Sequence, residues 1–357
     1  MTGTEEQIRT LSLLTIHRDG CEAALSRFNT LNGHGRSEFL RLADAHHVTM
    51  RALMALRHEA SIKTDDEVGE WAETNSESER QKIENALNAL AAVCLALEQA
   101  GAPITVIKSL DHWPDLGRDI DLFTTADIRL LCSVLIERFG ARVQTRSVGD
   151  RFANKWNFAI PGCNKILELH CCRLGQMGEH TDIAMRFAVR RVPLEIQGYT
   201  FYVPAPEEQV IAACLQRMYR HLFFRLCDIV DTGSVLSRPE FDWRNLQSIA
   251  TDAGIWPGVA TFVQIVADYI SHYRGHSLEV PAHVASSGRF GADRLFVRGQ
   301  YLRVPVVPCG LHLYTKQLTS TIASGRGRSA VRLAMLPVLA SLAAVSYKLT
   351  GSNQGVW

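Results

Sequence analysis

The sequence predicts an α+β protein in which one sheet-containing unit lies between two helical regions. Residues 1–100 and 206–357 carry apolar side chains at helical spacing, whereas residues 101–205 break into short β-rich runs separated by turn residues. The chain has 357 residues, enough to bury a large core. We therefore expect a helical N-terminal region (1–100), an α+β unit (101–205) and a helical C-terminal region with a basic tail (206–357).

The clearest helical signal in the first region is the segment 76–101. Its apolar residues recur every three or four positions, and Gly101 stands where a helix end favours a left-handed residue. Ser76 and Glu79 have the spacing of a capping box, so we expect a helix to begin there. The polar and acidic residues 63–79 are typical of a solvated loop between helices.

Histidine and cysteine residues do not form a recognisable metal motif. His46 and His47 are adjacent, so they point to different helix faces, and we expect ordinary surface or boundary histidines. His170, Cys171 and Cys172 form a dense group, but no second pair of suitable spacing accompanies them, which argues against structural zinc. We expect the nine cysteines to be reduced and mostly buried, in a cytoplasmic protein.

Carboxylates alternate with aliphatic residues in two β-rich runs of the middle unit. Asp119 and Asp121 lie in the run Asp-Ile-Asp-Leu, and Glu168 lies between two leucines. On a strand, such acids share one face and the aliphatic residues take the other. If the two strands are neighbours, the acids converge, and a divalent cation would compensate their charge. Oxygen ligands favour Mg²⁺ or Mn²⁺. The alternative is an exposed strand edge with solvated charges.

Between the two acid-bearing runs, residues 125–140 have the pattern of a helix. Thr125 is its predicted N-cap, and Gly140 is its predicted end. Brief strands follow, and from Pro206 the apolar spacing becomes helical again, continuing without a break to about residue 236.

The order of these motifs resembles the polymerase-β-like nucleotidyltransferase superfamily. In that superfamily, a glycine followed by Gly or Ser precedes an Asp-x-Asp strand, and a third acid lies on a later strand. Here Ile107-Lys108-Ser109 is followed, nine residues later, by the strand with Asp119 and Asp121, and Glu168 comes further on. Lys108 stands where the superfamily has its glycine.

More closely, residues 80–240 resemble an uncharacterised nucleotidyltransferase-like family. The matching segments are Arg118 to Leu122, Glu168-Leu169-His170, Pro206 to Ile211 and the run ending Phe-Phe-Arg-Leu-Cys-Asp-Ile-Val-Asp, with Asp228 at the family's acid. In the family, a glycine after the lysine lets the backbone approach a triphosphate. Ser109 replaces that glycine, and its hydroxyl and N–H are able to bind phosphate.

The resemblance implies a minimal nucleotidyltransferase-type mixed sheet and a Mg²⁺- or Mn²⁺-dependent enzyme. Such an enzyme moves a nucleoside monophosphate from a nucleoside triphosphate, for example ATP, to a small-molecule, peptide or protein acceptor and releases pyrophosphate. Asp119 and Asp121 would hold the metal ions, and Glu168 would complete the second metal site and help to deprotonate the acceptor. Lys108 and Ser109 would contact phosphate. The alternative is a catalytically degenerate module of the same fold that binds and regulates.

A group of polar residues after Pro206 suggests a second wall of the site. Arg217, His221, Arg225 and Asp228 recur at spacings of four, four and three, which predicts one stripe along a helix. The stripe either covers the nucleotide, with His221 and Arg225 on phosphate or base, or forms a solvated, salt-bridged face.

The sequence makes less specific predictions for Arg118 and His170, which lie beside the acids. Arg118 would point to the face opposite the acids, which favours a structural ion pair. His170 follows Glu168 by two residues, so it could share the face of that acid.

The charge distribution bears on the partners of the protein. The net charge of +1 gives no general preference for nucleic acid, so no DNA partner is expected. Residues 286–357 hold nine Lys or Arg and one acid, a balance of +8, and the first 285 residues therefore carry about −7. This basic tail could meet a tRNA-like acceptor, anionic lipid or the protein's own acidic face.

The run 333–345 is the most apolar part of the tail. It contains Pro337 and falls short of the roughly 20 residues that a membrane span requires. We expect a buried terminal helix, with an interfacial helix in peripheral contact with a membrane as the alternative.

Overall fold

The computed structural model describes residues 3–16, 21–275 and 277–350. The chain begins with five helices, α1 (Gly3–Ile16), α2 (Glu22–Asn29), α3 (Gly33–Ala45), α4 (Thr49–Lys63) and α5 (Asp66–Gln99). The elements of the middle part are β1 (Ile104–Val106), β2 (Asp119–Thr124), α6 (Ile128–Phe139), β3 (Arg142–Val143), α7 (Val148–Ala153), β4 (Lys155–Ala159), β5 (Ile166–Cys171), α8 (Asp182–Val189), β6 (Arg191–Ile196) and β7 (Tyr199–Pro204).

The C-terminal part is mainly helical. Its elements are α9 (Pro206–Cys214), a π-helical segment (Leu215–His221), β8 (Phe223–Phe224), α10 (Leu226–Leu236), α11 (Trp243–Asp252), α12 (Trp256–Arg274), α13 (Ala282–Ala285), β9 (Phe296–Arg298), β10 (Tyr301–Arg303), α14 (Leu311–Ala323) and α15 (Gly327–Thr350). The predicted α+β class, a mixed sheet flanked by helices, is therefore confirmed.

The main sheet has five strands in the order β1-β2-β5-β4-β3. β2 and β5 are parallel, and the other pairs are antiparallel. β6 and β7 form a separate two-stranded sheet, and β8, β10 and β9 form a three-stranded sheet. The parallel pair matters most for function, because it places the two acid-bearing strands side by side in the centre of the sheet.

Two hydrophobic cores lie on opposite sides of the main sheet. Leu122 and Leu169, on one face, pack with residues of α5 and α6. Phe123, on the other face, belongs to a larger core that extends from Ile8 in α1 to Leu313 in α14. The division into regions at residues 100 and 205 stays a prediction, and this larger core joins side chains from all three regions.

Helix α5 begins about ten residues before the predicted position. Asp65 is its N-cap, and its carboxylate accepts a hydrogen bond from the Val68 N–H at 3.2 Å. The predicted loop over 63–79 is wrong because Val68 and Ala72 provide a buried helical face within the polar sequence. Ser76 lies inside the helix and donates to the Ala72 carbonyl, so the predicted capping box is also wrong.

The boundaries of helix α6 agree partly with expectation. Asp127, rather than Thr125, is the N-cap, and its carboxylate accepts a hydrogen bond from the Arg129 N–H. Gly140 ends the helix in a left-handed conformation, with φ of 61°, as the sequence predicts.

The terminal helix α15 packs along one side against α14. Leu333 and Leu339 are buried, whereas Val338 and Leu342 are more than half exposed. The expectation of a buried terminal helix is therefore wrong for much of its apolar surface, because the described side chains of α15 include apolar ones that face solvent, away from α14. Among the described residues, no helix combines the length and the apolar character needed to cross a membrane.

Candidate active site

The pairing of β2 with β5 brings the predicted acids together. Asp121 lies directly opposite Glu168 in the parallel register, and Asp119 precedes Asp121 by two residues. All three side chains therefore project from the same face of the sheet. Ile120 and Leu122, which alternate with the acids, are buried on the opposite face.

An imidazole lies between two of these carboxylates. The Nε2 atom of His170 is 2.9 Å from Oε1 of Glu168 and 3.2 Å from Oδ1 of Asp121. The ligand atoms of these three residues all lie within 4.8 Å of one another, which is close enough for one metal ion to bind them. His170 does share the face of Glu168, as its spacing suggests.

Two lysines neutralise the paired acids. Nζ of Lys108 is 2.6 Å from Oδ1 of Asp121, and Nζ of Lys155 is 2.7 Å from Oε2 of Glu168. Lys155 also lies 3.3 Å from Asp150. Each ammonium group thus occupies a position beside a carboxylate where a cation is electrostatically favoured.

The pKa values of the acids differ because their neighbours differ. Burial alone would raise the pKa of Glu168, but the hydrogen bond from His170 and the charge of Lys155 outweigh it and hold that pKa well below its usual range. Burial, followed by the negative charges of Glu168 and Asp121, raises the pKa of Asp119. The Asp119 carboxylate has no hydrogen-bond or ion-pair partner among the described residues, and the positive charges of Lys155 and Lys108 offset only part of the rise in its pKa.

The loop after β1 is unusual at Lys108 and Ser109. Lys108 has a φ of 65°, in the left-handed region that favours glycine. The Ser109 hydroxyl accepts a hydrogen bond from the Asp121 N–H at 2.8 Å, and the Ser109 N–H donates to the Ile107 carbonyl at 2.7 Å. Both polar groups of Ser109 are therefore engaged within the loop, where they hold it against β2.

A cavity of about 290 Å³ opens over the acids. This volume is at the lower end of the range for small-molecule sites. All seven residues that the sequence analysis assigns to metal or nucleotide line it: Lys108, Ser109, Asp119, Asp121, Glu168, His221 and Arg225. Six cationic side chains surround the three acids: Lys108, Arg118, Lys155, Arg217, Arg220 and Arg225. An acidic floor within a cationic wall suits a polyanion that binds together with a metal ion.

The arginine-rich wall is not one helix, so the predicted stripe is wrong. Helix α9 passes into the π-helical segment, Leu222 then adopts a φ of 52°, and α10 begins only at Leu226. This reversal folds the chain back, and Nε of Arg217 lies 2.7 Å from Oδ2 of Asp228. Asp228 also accepts a hydrogen bond from the Arg225 N–H, so its role here is to hold the wall together.

His221 is a neutral imidazole in a cationic surrounding. Burial lowers its pKa well below the usual value, and the charges of Arg220, Arg217 and Arg225 lower it further. A neutral ring at this point can hydrogen-bond to a base or a phosphate without adding charge.

Arg118 and His47 line the cavity, whereas His46 does not reach it. Arg118 forms an exposed ion pair with Asp44 at 2.9 Å, as expected, but the expected position on the face opposite the acids is wrong, because Arg118 lines the same cavity. The expectation of surface or boundary histidines is wrong, because His46 and His47 are both buried. Nδ1 of His46 accepts a hydrogen bond from the Leu226 N–H, and burial lowers its pKa to about 4, so this uncharged ring serves as a link to α10.

A comparison with known protein families agrees with this geometry. A family model described as an uncharacterised nucleotidyltransferase matches residues 33–271, more than half of the 357 residues. The chain belongs to this uncharacterised nucleotidyltransferase family. The predicted resemblance over 80–240 is confirmed, and the match begins earlier, in α3. A search of curated proteins finds no match.

Several residues around the family's site are not apparent from the sequence pattern. Lys155 reaches Glu168 because β4 pairs with β5, and only the strand order reveals that contact. Arg220 has no hydrogen-bond or ion-pair partner among the described residues. A usable signal was present for Arg220, since residues 215–225 contain three arginines and no acid.

Proposed function

We propose that this chain is a Mg²⁺-dependent nucleotidyltransferase that moves a nucleoside monophosphate from a nucleoside triphosphate to a small-molecule, peptide or protein acceptor and releases pyrophosphate. The observation that supports it most is the register of the parallel pair, which sets Asp121 opposite Glu168 at the floor of a cationic cavity. Family membership supports the transferase class.

The side chains present fit a hard divalent cation. Asp119 has no ion-pair partner among the described residues, and Asp121 and Glu168 are paired with the side chains of Lys108 and Lys155. Asp119, Asp121 and Glu168 would hold the ion, since carboxylate oxygens are the ligands that Mg²⁺ and Mn²⁺ prefer. Bound there, the ion supplies neutralisation of phosphate charge and alignment of the attacking and leaving oxygens.

The lysines would change partners when the substrate binds. Once the carboxylates are engaged by a cation, Lys108 and Lys155 are released from Asp121 and Glu168, and their ammonium groups can pair with phosphate oxygens. Arg220, which has no partner among the described residues, faces the same cavity. The protein would therefore bind the triphosphate by exchanging internal ion pairs for ion pairs with the substrate.

The transfer step needs positioning more than covalent participation by the protein. The acceptor oxygen forms a bond to the α-phosphorus, the bond from that phosphorus to the pyrophosphate oxygen breaks, and the acceptor proton leaves. Glu168, which lines the cavity with the two aspartates, would complete the second metal site and help to pass the acceptor proton to solvent.

One observation favours a second candidate, a catalytically degenerate binding module. Lys108 and Lys155 already neutralise Asp121 and Glu168, so the fold does not require a metal ion to balance these charges. Lys108 also stands in the left-handed position where the superfamily has glycine. In that case, the cavity would bind a nucleotide without cleaving it.

The deciding experiment follows the label of a nucleoside triphosphate incubated with cell extract and Mg²⁺. We expect label from the α-phosphate, and not from the γ-phosphate, to enter an acceptor with the wild type. The Asp119→Ala/Asp121→Ala double variant should transfer none, and Glu137→Ala, which removes an exposed carboxylate from α6, should match the wild type.

A thermal-shift measurement separates the two candidates. Mg²⁺-dependent stabilisation by nucleotide, with no transfer of either label, would support the binding module and contradict the enzyme. Transfer of γ-label would indicate kinase chemistry and contradict both.

A further inference from the structure

A second cluster of ligand atoms lies beside the acids and has a different chemistry. His47, His112 and Cys227 offer two imidazole nitrogens and one sulfur that all lie within 4.8 Å of one another. His47 lies in the turn between α3 and α4, His112 in the loop between β1 and β2, and Cys227 in the first turn of α10. Three distant segments of the chain thus converge on one point, and both histidines also line the cavity over the acids.

The His47 imidazole has a nitrogen without a partner. Its side chain is 7% exposed, and its buried Nε2 atom has no hydrogen-bond partner among the described residues. Nδ1 is occupied only by a long contact, 3.4 Å from Nη1 of Arg225. Buried polar atoms are almost always paired, so an unpaired nitrogen on an imidazole of this cluster indicates a missing partner.

His112 is oriented as metal-binding histidines usually are. Its Nδ1 donates to Oδ2 of Asp231 at 2.6 Å, which leaves Nε2 as the atom that can serve as a ligand. The other oxygen of Asp231 is 2.6 Å from Nη1 of Arg51, so the carboxylate is itself held in place. A carboxylate behind the imidazole fixes its tautomer and increases its basicity toward a metal.

Cys227 supplies the soft ligand of the group. It is completely buried, and burial raises the pKa of its thiol, although the neighbouring His112 opposes that effect. The thiol also hydrogen-bonds to His112, which places the sulfur next to the imidazole. Metal ligation would form a bond between the ion and the thiolate and release the thiol proton to solvent.

We propose that His47, His112 and Cys227 form a binding site for a borderline transition-metal ion, with Zn²⁺ the best fit, separate from the carboxylate site. Two nitrogens and one sulfur suit Zn²⁺, whereas the three carboxylates suit Mg²⁺. Three protein ligands would leave one position of a tetrahedral ion for water or substrate. The site does not depend on the proposed transferase activity, since none of its ligands is one of the three acids.

The proposed ion would shape the nucleotide cavity. Ligation through Nε2 places the remaining proton of His47 on Nδ1, which removes the acceptor that Arg225 now uses. Arg225 would then be free to turn toward a phosphate in the cavity that it lines. A bound metal ion would thus connect the turn after α3, the β1–β2 loop and α10. It would also release Arg225 for contact with the substrate.

The test uses Co²⁺ as a spectroscopic probe on the full chain after removal of bound metal by a chelator. We expect a thiolate-to-cobalt absorption band in the near ultraviolet that saturates at about one equivalent and is displaced by Zn²⁺. Cys227→Ser should abolish the band, and Cys214→Ser, which alters an equally buried cysteine in α9, should retain it. Absence of the band in the wild type, or its persistence in Cys227→Ser, would overturn the proposal.

Two further variants keep the test decisive if Cys227→Ser does not fold. Asp231→Asn keeps all three ligands but weakens the support of His112, so Co²⁺ affinity should fall about 10- to 100-fold. Asp121→Asn/Glu168→Gln should leave both the band and its affinity unchanged. Unchanged affinity in Asp231→Asn, or loss of the band in the double variant, would contradict the proposed ligands.

Discussion

The two faces of strands β2 and β5 perform different tasks. One face presents Ile120, Leu122, Leu167 and Leu169, which are almost fully buried against α5 and α6. The other presents Asp119, Asp121, Glu168 and His170, which line or support a cavity. Because the residues alternate, one stretch of chain contributes stability on one side and charge on the other.

The comparison shows that neighbouring lysines, rather than the hydrophobic core, reduce the repulsion among the acids of the charged face. Lys108 and Lys155 balance Asp121 and Glu168 across distances of 2.6 and 2.7 Å, whereas Asp119 has no such partner among the described residues. Substitutions on the charged face should therefore change activity and leave folding largely intact. Substitutions on the apolar face should do the reverse.

The largest effect is expected for activity when Asp119 becomes Asn. Loss of one carboxylate ligand should remove about 4 kcal/mol of transition-state stabilisation, a fall of about 1,000-fold in nucleotidyl transfer. The measurement is the initial rate of α-label incorporation per folded protein. A fall of less than tenfold would mean that Asp119 is not a metal ligand.

For Leu122→Ala on the apolar face, we expect a loss of stability with little change in activity. Leu122 is fully buried, so its truncation should lower the free energy of unfolding by about 2–5 kcal/mol. Urea unfolding measures this change, and transfer by the remaining folded protein should stay within about threefold of wild type. A large loss of activity with normal stability would show that the two faces are not independent.

Substitution of Lys108 is expected to change the free energy of unfolding by about 1 kcal/mol, depending on the replacement. Its left-handed backbone is strained for any residue with a Cβ, so Lys108→Gly should be more stable than Lys108→Ala by about 1 kcal/mol. Both variants lack the ammonium group beside Asp121, so both should bind Mg²⁺ more tightly than wild type and to the same extent. Equal stability of the two variants would show that the loop carries no such strain.

The smallest expected effect is a pH dependence of protein stability that arises from Asp119. Because its pKa is raised in the folded state, ionised Asp119 is destabilising above the ordinary Asp pKa, and this cost disappears as the pH falls and the carboxyl becomes protonated. Without metal, Asp119→Asn should therefore melt at a higher temperature than wild type near neutral pH, and the difference should shrink toward acidic pH. Added Mg²⁺ should reverse the order at neutral pH, because only the wild type gains a ligand.

The alternation of acidic and aliphatic residues made it possible to predict that the acids share one face of the sheet. The spacing of Asp119, Asp121 and Glu168 set them on one face, and the structure shows β2 and β5 as parallel neighbours. Their roles as metal ligands stay a prediction. The end of α6 at Gly140 was equally predictable, since a left-handed helix end favours glycine.

Contacts between segments that are distant in sequence could not be predicted from the spacing of residues. Lys155 and His112 reach the site only because of the strand order and the packing of α10. The predicted helical stripe is wrong because a left-handed Leu222 interrupts it, and spacing alone does not reveal such a residue. The ion pair between Arg217 and Asp228 exists only because of that interruption, since residues 11 apart on one helix lie too far apart to touch.

The larger core has a consequence for dissecting this protein. Ile107 and Phe123, on the acid-bearing side of the sheet, share that core with Leu11 near the start of the chain and Val263 in α12. A fragment limited to the sheet would turn these side chains out into water and lose its partners on both flanks. Chimeras within the family should therefore exchange the N- and C-terminal helices as one block, because α1 packs directly against α10 and α12.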